Sequence, residues 1–385
     1  MLPKNPLPFS NEEFKSRLDK VRKGMQAKGV DVMLTTVPEN IVYLTGYHSL
    51  GYFTYQILVV TLDNPPILLT RAINVEKAEV DSCLEIVEGY KDTEDPNDAT
   101  YNLLKKHKLL GKRIGNQDDA WFFSVTRYKK LIERLGVKDL IDCSGIVEEV
   151  RKIKSPKEIE YIKEAAGYAM ASIDAAIKSV KPGLMENVMD AEASYALYKA
   201  GSEYLGHAHQ LVSGPHAGLA FECAGRRPIK KDDVVYMEAG GTHHRYHCML
   251  SRTVLVGNPD PKWLKMAEAS RDAVNAARAK IKAGVTSHEV DKAARDLIRK
   301  AGYADAFMHR TGYSIGLGFP PDWGEGRFMS INENDQTVLK AGMVFHMIPD
   351  LKIAMDGAVV CSDSVVVTET GHELLTPYSQ EVVRK

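Results

Sequence analysis

The chain has 385 residues, 44% apolar and 26% charged, with 50 basic against 51 acidic side chains. This is the make-up of an ordinary soluble globular protein of two or three domains, and the near-zero net charge gives no pull toward nucleic acid or an anionic membrane. No apolar run approaches the ~18 residues that span a bilayer, and the opening MLPKNPLPFSNEEF lacks an apolar signal core, which points to the cytoplasm.

The first predicted element is a helix opened by Ser10-Asn11-Glu12-Glu13, which fits a capping box. Phe14, Leu18, Val21 and Met25 share one of its faces, and it stops near Gly29. VDVMLTT, ILVVTL and PPILLT then read as buried strands. Helical stretches return around 97–107 and 125–135, and KRIG and KDLIDC are candidate strands. Alternation of strand and helix to about residue 150 predicts an α/β domain over 1–150. In VRKIKSPKEIEYIKEAAGYAM, Ser155 is the N-cap, Pro156 takes the first helical position and Glu158 completes a capping box. Ile159, Ile162, Ala166, Ala169 and Ile173 follow at helical spacing. The second domain therefore spans 151–385. The five cysteines, Cys83, Cys143, Cys223, Cys248 and Cys361, are scattered and odd in number, so they form neither a disulfide framework nor a structural zinc site.

The second half repeats itself. KPGLMENVMDAEASYALYKAG (181–201) aligns without gaps to KAGVTSHEVDKAARDLIRKAG (282–302). Each copy follows a helical stretch, 156–180 or 262–281, and precedes Gly-rich, strand-like segments. Matched flanks favour a duplicated unit over two chance amphipathic helices. Two α/β halves about a pseudo-twofold would place an active site at their junction.

NIVYLTGYHS (40–49), VRKIKSPKEIEYIKEA, GMVFHMIPD (342–350) and DSVVVTETGHELLT (363–376) occur in an order and spacing that resemble the creatinase/prolidase superfamily. The resemblance covers nearly the whole chain. It implies an α/β (α+β) protein, with an N-terminal creatinase-like α/β domain followed by a C-terminal pita-bread catalytic domain duplicated about a pseudo-twofold. Metallopeptidase members bind two metal ions through two Asp, one His and two Glu. Those positions fall here on Glu238, Met249, Tyr313, Ile348 and Ser362. Only Glu238 keeps a carboxylate, and Met249 and Ile348 cannot ligate a hard cation. The resemblance thus implies no metal and no other cofactor. A single ion held by His243, His244 and His247 of THHRYHC is the remaining alternative, but such a mixed-polarity segment favours solvated or hydrogen-bonded imidazoles.

Within the superfamily, a metal-free site resembles creatinase and ectoine hydrolase, which hydrolyse a non-peptide C–N bond. EAGGTHHRYHCMLSRTV (238–254) and HRTGYSIGLGFPPDWGEG (309–326) most resemble the ectoine hydrolase branch. An amidinium or guanidinium substrate is a planar cation that a carboxylate binds through charge-assisted hydrogen bonds. Glu238 is the candidate general base or nucleophile, with Tyr313 and His346 as catalytic partners and a protonated His expected to deliver a proton to the leaving nitrogen. Arg252 or Arg310 would take a substrate carboxylate. His244, His309, Asp322 and Glu325 are candidate binding residues, and Trp323 could stack on the cation. Asp322, after Pro320-Pro321, serves equally well as a turn residue. The position of the superfamily's catalytic His falls on Phe221, with His216 and Glu222 close enough to replace it. Tyr52 and Tyr55, in HSLGYFTYQ, resemble a loop that reaches the neighbouring subunit in creatinase-like dimers, implying a homodimer. The leading expectation is a metal-independent hydrolase of a small C–N compound. The alternatives are a metal-dependent Xaa-Pro peptidase and a non-catalytic small-molecule-binding protein.

Overall fold

A capped helix opens the first unit. In the computed structural model, which describes residues 4–385, helix α1 spans Asn11–Ala27 and Ser10 Oγ accepts from Glu13 N. The expected capping box is only half formed, because the Glu13 carboxylate pairs with Arg17 at 2.8 Å. Phe14, Val21 and Met25 are buried as their spacing requires. The chain divides into two compact units, Met1–Arg151 and Lys152–Lys385. The first continues through β1 (Val32–Thr35), α2 (Pro38–Thr45), β2 (Ile57–Thr61), β3 (Ile67–Arg71), α3 (Val75–Val80), β4 (Ile86–Tyr90), α4 (Pro96–Lys106), β5 (Ile114–Asn116), α5 (Val125–Leu135), β6 (Ile141–Asp142) and α6 (Ile146–Arg151). Its sheet has the order β4-β3-β2-β1-β5-β6. Val32, Leu34, Ile57 and Val59 alternate onto one face and pack with Leu104 and Leu131 of α4 and α5.

Four elements of this unit were not legible, one of them α6, whose six residues are too few to show a period. The α2 segment PENIVYLT is almost wholly buried, so it shows no amphipathic period. Strand β4, IVEGY, is an edge strand with Glu and Gly inside it and mostly half-buried side chains. The six residues of α3 are too few to show a period. Tyr55 belongs to the core, its hydroxyl 2.6 Å from Thr100 Oγ1. Tyr52 packs edge-on against Phe53 and Phe122 of the same unit.

In the second unit the Ser155–Glu158 capping box is present, and α7 (Pro156–Ser179) starts at Pro156. There follow α8 (Glu186–Ala200), β7 (Gln210–Ser213), β8 (Val234–His243), β9 (Tyr246–Leu255), α9 (Pro261–Lys280), α10 (Ser287–Lys300), β10 (Gly312–Phe319), β11 (Asp322–Gly324), β12 (Ser330–Ile331), β13 (Val344–Met347), β14 (Leu351–Ile353), β15 (Gly357–Val359), β16 (Asp363–Val367), β17 (His372–Leu374) and β18 (Val383–Arg384). The main sheet runs β17-β16-β13-β10-β9-β8-β7. Helix α7 lies so close to β8 that a Cβ on Gly241 would come within 2.1 Å of Ala165 O. Among the described residues no helix is long and apolar enough to cross a membrane.

The repeat in the sequence is a repeat in three dimensions. Helices α7 and α8 with β7–β9 form one half, and α9 and α10 with β10, β13 and β16 form the other. The turn before α8 has Gly183 at φ 87 and the turn before α10 has Gly284 at φ 89. Gly183 N donates to Ile229 O at 2.8 Å, and Gly284 N to Leu339 O at 2.9 Å. Met185 bridges Pro228 as Thr286 bridges Val338. The halves meet where β9 runs beside β10, in register only at Tyr246 and Leu317.

Both glycines have a left-handed backbone and open space where a Cβ would stand. Gly183→Ala and Gly284→Ala should each cost about 1–2 kcal/mol, the left-handed penalty for an L-residue. Urea unfolding of the two variants should give matching losses.

Candidate active site

Register decides which side chains meet in the middle of the second unit. Along β8 alternate residues share a face, so Tyr236 points with Glu238. Strand β7 sets Gln210 opposite Glu238, and β9 sets Ser251 on its other side. From the second half, β10 brings Tyr313 beside His346 of β13. A cavity of about 100 Å³ opens between the halves, walled by Gln210, Tyr236, Glu238, Tyr313, Ile348 and Lys352 among others.

Glu238 is 3% exposed. Gln210 Nε2 donates to its Oε2 at 2.9 Å, the Tyr236 hydroxyl donates to the same oxygen at 3.2 Å, and the Tyr313 hydroxyl reaches Oε1 at 3.4 Å. Burial pushes the Glu238 carboxyl up to about 7. The nearby Lys352 charge opposes the rise, Asp350 adds to it, and the two tyrosine hydroxyls hold it back. Burial, and then the charge of Glu238, hold Tyr236 and Tyr313 well above the ordinary phenol value, so both stay neutral donors. Behind Tyr313, His346 is fully buried, with Nδ1 3.1 Å from the Tyr313 hydroxyl and Nε2 2.7 Å from Ser362 Oγ. Burial, reinforced by the neighbouring His309 and by the charges of Arg252 and Arg310, pushes its pKa down to about 3. Trp323 Nε1 also donates to the Tyr313 oxygen, at 3.2 Å.

Of the residues singled out from the sequence, Glu238, Tyr313, Phe221, His309, Asp322 and Trp323 line the cavity. The Phe221 side chain is 71% exposed on a left-handed backbone, φ 57. His309 bonds through Nδ1 to Arg310 O at 2.8 Å, and burial lowers its pKa. Asp322 Oδ1 accepts from Gly324 N at 2.9 Å, which is a turn bond made at the cavity wall.

Five expected site residues lie elsewhere, and each has a physical reason. His216 sits on a short turn with Nδ1 3.1 Å from Glu186 Oε2. Glu222 folds back on Cys223 N at 3.3 Å. His244 is the turn residue of the β8–β9 hairpin, at φ 47, with its ring against Tyr161. Arg252 follows Ser251 on β9 and so points to the opposite face, where its guanidinium donates to Ser379 O, Tyr378 O and Ser362 O. Glu325 is buried in an ion pair with Lys154 at 2.6 Å. Arg310 does line the cavity, and its guanidinium donates to Gly326 O at 3.2 Å and Ser330 Oγ at 3.1 Å. Burial lowers the pKa of both His309 and His346, which disfavours either ring as the expected protonated His.

Sequence reasoning missed Gln210, Tyr236, Asp350, Lys352 and His207, all on the cavity wall. Tyr236 was within reach, because it lies two residues before Glu238 on the same strand face. Lys352 pairs with Asp350 at 2.9 Å and stands 4.1 Å over the Tyr236 ring. The His207 ring lies 4.9 Å from that of Trp323.

A dinuclear metal centre does not fit this site. Met249 and Ile348 offer no oxygen, and the Ser362 hydroxyl is engaged by Ser251 N and His346. One carboxylate with a phenol cannot replace the hard oxygen donors that two divalent ions need. The three histidines of THHRYHC do not converge either. His247 uses both ring nitrogens, on Arg245 O and Gly206 N, His243 Nδ1 meets Tyr168, and His244 occupies the turn. Among the described residues no group of three or more His, Cys, Asp or Glu side chains could hold a metal ion.

The two-unit architecture, with a duplicated second unit and a junction cavity, defines a creatinase/prolidase pita-bread protein. The chain belongs to metallopeptidase family M24, whose model matches residues 160–369, and the creatinase/prolidase N-terminal domain model matches residues 17–153. It is 27% identical to ectoine hydrolase of Halomonas elongata, covering 98% of this chain and 99% of the relative. It is 32% identical to an uncharacterised hydrolase/peptidase of Sinorhizobium fredii over 98% of this chain and 99% of that one. The prolidase structure from Pyrococcus horikoshii superposes with a TM-score of 0.85 at 25% identity, covering 96% of this chain and 100% of that one.

Two stability predictions follow from the buried carboxyls. Glu238 has its pKa raised on folding from 4.5 to about 7, so the folded chain binds the extra proton between those values. Its contribution to stability is fully present below pH 4.5 and is lost as pH rises through 7. Glu238→Gln should therefore melt higher than the wild type at about pH 8 and level with it near about pH 4. Glu325→Gln leaves the Lys154 ammonium facing a neutral amide and should lose about 3–5 kcal/mol in urea unfolding.

Proposed function

We propose that the chain hydrolyses a C–N bond in a small amidine- or guanidine-type compound without a metal ion, with Glu238 as the base. The observation that carries this reading is Glu238 itself, a buried carboxyl held near neutrality in a cavity where the family's other ligand positions carry Met249, Tyr313, Ile348 and Ser362. A general base works best with a pKa near the working pH. The likeness to ectoine hydrolase supports the substrate class. So does the charge pattern, since Glu238, Asp322 and Asp350 share the wall with Arg310 and Lys352. A zwitterion with an amidinium at one end and a carboxylate at the other matches both signs. A cavity of about 100 Å³ suits a small metabolite, well below the roughly 300–1,000 Å³ of drug-sized sites.

The chemistry needs only one carboxyl. Glu238 takes a proton from water as its oxygen bonds to the amidinium carbon. The tetrahedral adduct then breaks its C–N bond as Glu238 returns that proton to the leaving nitrogen. An amidine gives an amide and an amine, and a guanidine gives a urea and an amine. No imidazolium is required, in keeping with the lowered pKa of His309 and His346.

The test is turnover of ectoine, creatine and a Xaa-Pro dipeptide by the purified protein in the presence of a chelator, with products read by mass spectrometry. The expected result is cleavage of ectoine or creatine. Its kcat/KM should rise with pH to a plateau around an apparent pKa of about 7, and Glu238→Gln should lose at least ~10³-fold in kcat. The overall likeness to a prolidase favours a second reading. Cleavage of the dipeptide alone, and only after divalent metal is added, would replace the first reading with that one.

A further inference from the structure

We infer that His346 is a positioning residue, held with its proton on Nδ1, and that it acts through Tyr313 by turning the phenolic proton toward Glu238. The inference rests on the reading of Glu238 as the base. It follows from counting donors and acceptors along one buried chain of groups.

The chain starts at a backbone amide, whose direction is fixed. Ser251 N, on β9, donates to Ser362 Oγ at 2.7 Å. The Ser362 hydroxyl is buried, and among the described residues its proton has one acceptor within reach, His346 Nε2 at 2.7 Å. An imidazole that accepts at Nε2 carries its proton on Nδ1. That nitrogen is 3.1 Å from the Tyr313 oxygen, which also receives Trp323 Nε1–H at 3.2 Å. With two N–H groups directed at its oxygen, Tyr313 has Glu238 Oε1, at 3.4 Å, left for its own proton. Every donor in this arrangement has an acceptor.

The opposite tautomer breaks that balance. A proton on Nε2 would make Ser362 Oγ accept twice and leave the buried hydroxyl proton without an acceptor, which costs about 1–3 kcal/mol. The bare Nδ1 would then draw the Tyr313 proton away from Glu238. A charged ring is excluded on the same count, since it would donate at both ends. His346 is not among the cavity-lining residues, and its Nδ1 stands 3.1 Å from the Tyr313 hydroxyl against 3.8 Å from Glu238 Oε1, so its hydrogen bond goes to Tyr313. The remaining groups facing the carboxylate are Tyr236, Gln210, Lys352 and Asp350, none of which depends on His346.

The first measurement is made on the wild type and needs no turnover. Long-range ¹H–¹⁵N spectra of ¹⁵N-histidine-labelled protein should show, beside the signal of His247, whose Nδ1 faces Arg245 O and whose Nε2 accepts from Gly206 N, a further imidazole with a protonated Nδ1 and a bare Nε2, unchanged from about pH 5 to 9. Its absence from His346→Asn assigns it. A proton on Nε2, or an imidazolium, overturns the inference. The second measurement is kinetic. An Asn amide can place its nitrogen near the Nδ1 position, whereas a Gln amide mimics Nε2. His346→Asn should keep the acid limb of kcat/KM in place. His346→Gln and Tyr313→Phe should each move it to higher pH and lower kcat/KM by about tenfold, and the double variant should be no worse than Tyr313→Phe alone. Equal losses in the Asn and Gln variants would mean a packing role and would also overturn the inference. The two readings fail separately. The predicted tautomer without turnover sinks the hydrolase proposal, and turnover with the opposite tautomer sinks only this one.

Discussion

A carboxylate taken out of water loses several kcal/mol of solvation unless protein dipoles replace it. Much of the middle of the second unit is arranged about that cost at Glu238. Gln210 and Tyr236 supply donors to one oxygen and Tyr313 to the other, while Lys352 stands near without forming a direct pair. Compensation is partial, and the carboxyl is left close to neutral pH instead of several units lower. A metal ion would satisfy the same oxygens far more strongly and would hold them ionised. The substitutions at Met249, Ile348 and Ser362 therefore change more than the ligand count. They leave the buried Glu238 carboxyl to protein dipoles and the Lys352 charge, with its pKa raised to about 7.

The scaffold that permits this exchange is the duplicated α/β unit. Each half carries two helices over antiparallel strands, and the sheet places residues from both halves within hydrogen-bonding distance. The strand ladders do the positioning. Gln210, Glu238 and Ser251 lie in one line across β7, β8 and β9, and Tyr313 lies beside His346 across β10 and β13. A slip of one residue in β8 would turn Glu238 toward the helices and bring Met237 or Ala239 to the cavity.

Much of this could be read from the sequence where a pattern had a local cause. The Ser155–Glu158 cap, the strands of the first sheet and the repeat at 181–201 and 282–302 all rest on short-range spacing. Glu238, Tyr313 and Trp323 were legible because they stand in conspicuous motifs. Gln210, Asp350 and Lys352 were not, because what brings them to Glu238 is strand register and chain return over long separations. Arg252 and Glu325 misled for a related reason. Their charge suggested a substrate, yet each is fully engaged by buried partners that composition does not reveal. His244 drew attention as part of a histidine cluster, and the hairpin spends it on a turn.

The seam between the halves has a consequence of its own. Strands β9 and β10 are in register at a single pair, Tyr246 and Leu317, so little backbone bonding ties one half to the other there. Of the three donors around Glu238, Gln210 and Tyr236 are carried by the same half as the carboxyl, and Tyr313 comes from across the seam. A small slide of one half against the other stretches that one link and leaves the other two as they are. The Tyr313 link is the one donor bond through which the packing of the second half bears directly on the Glu238 proton, alongside the charges of Lys352 and Asp350 from that same half.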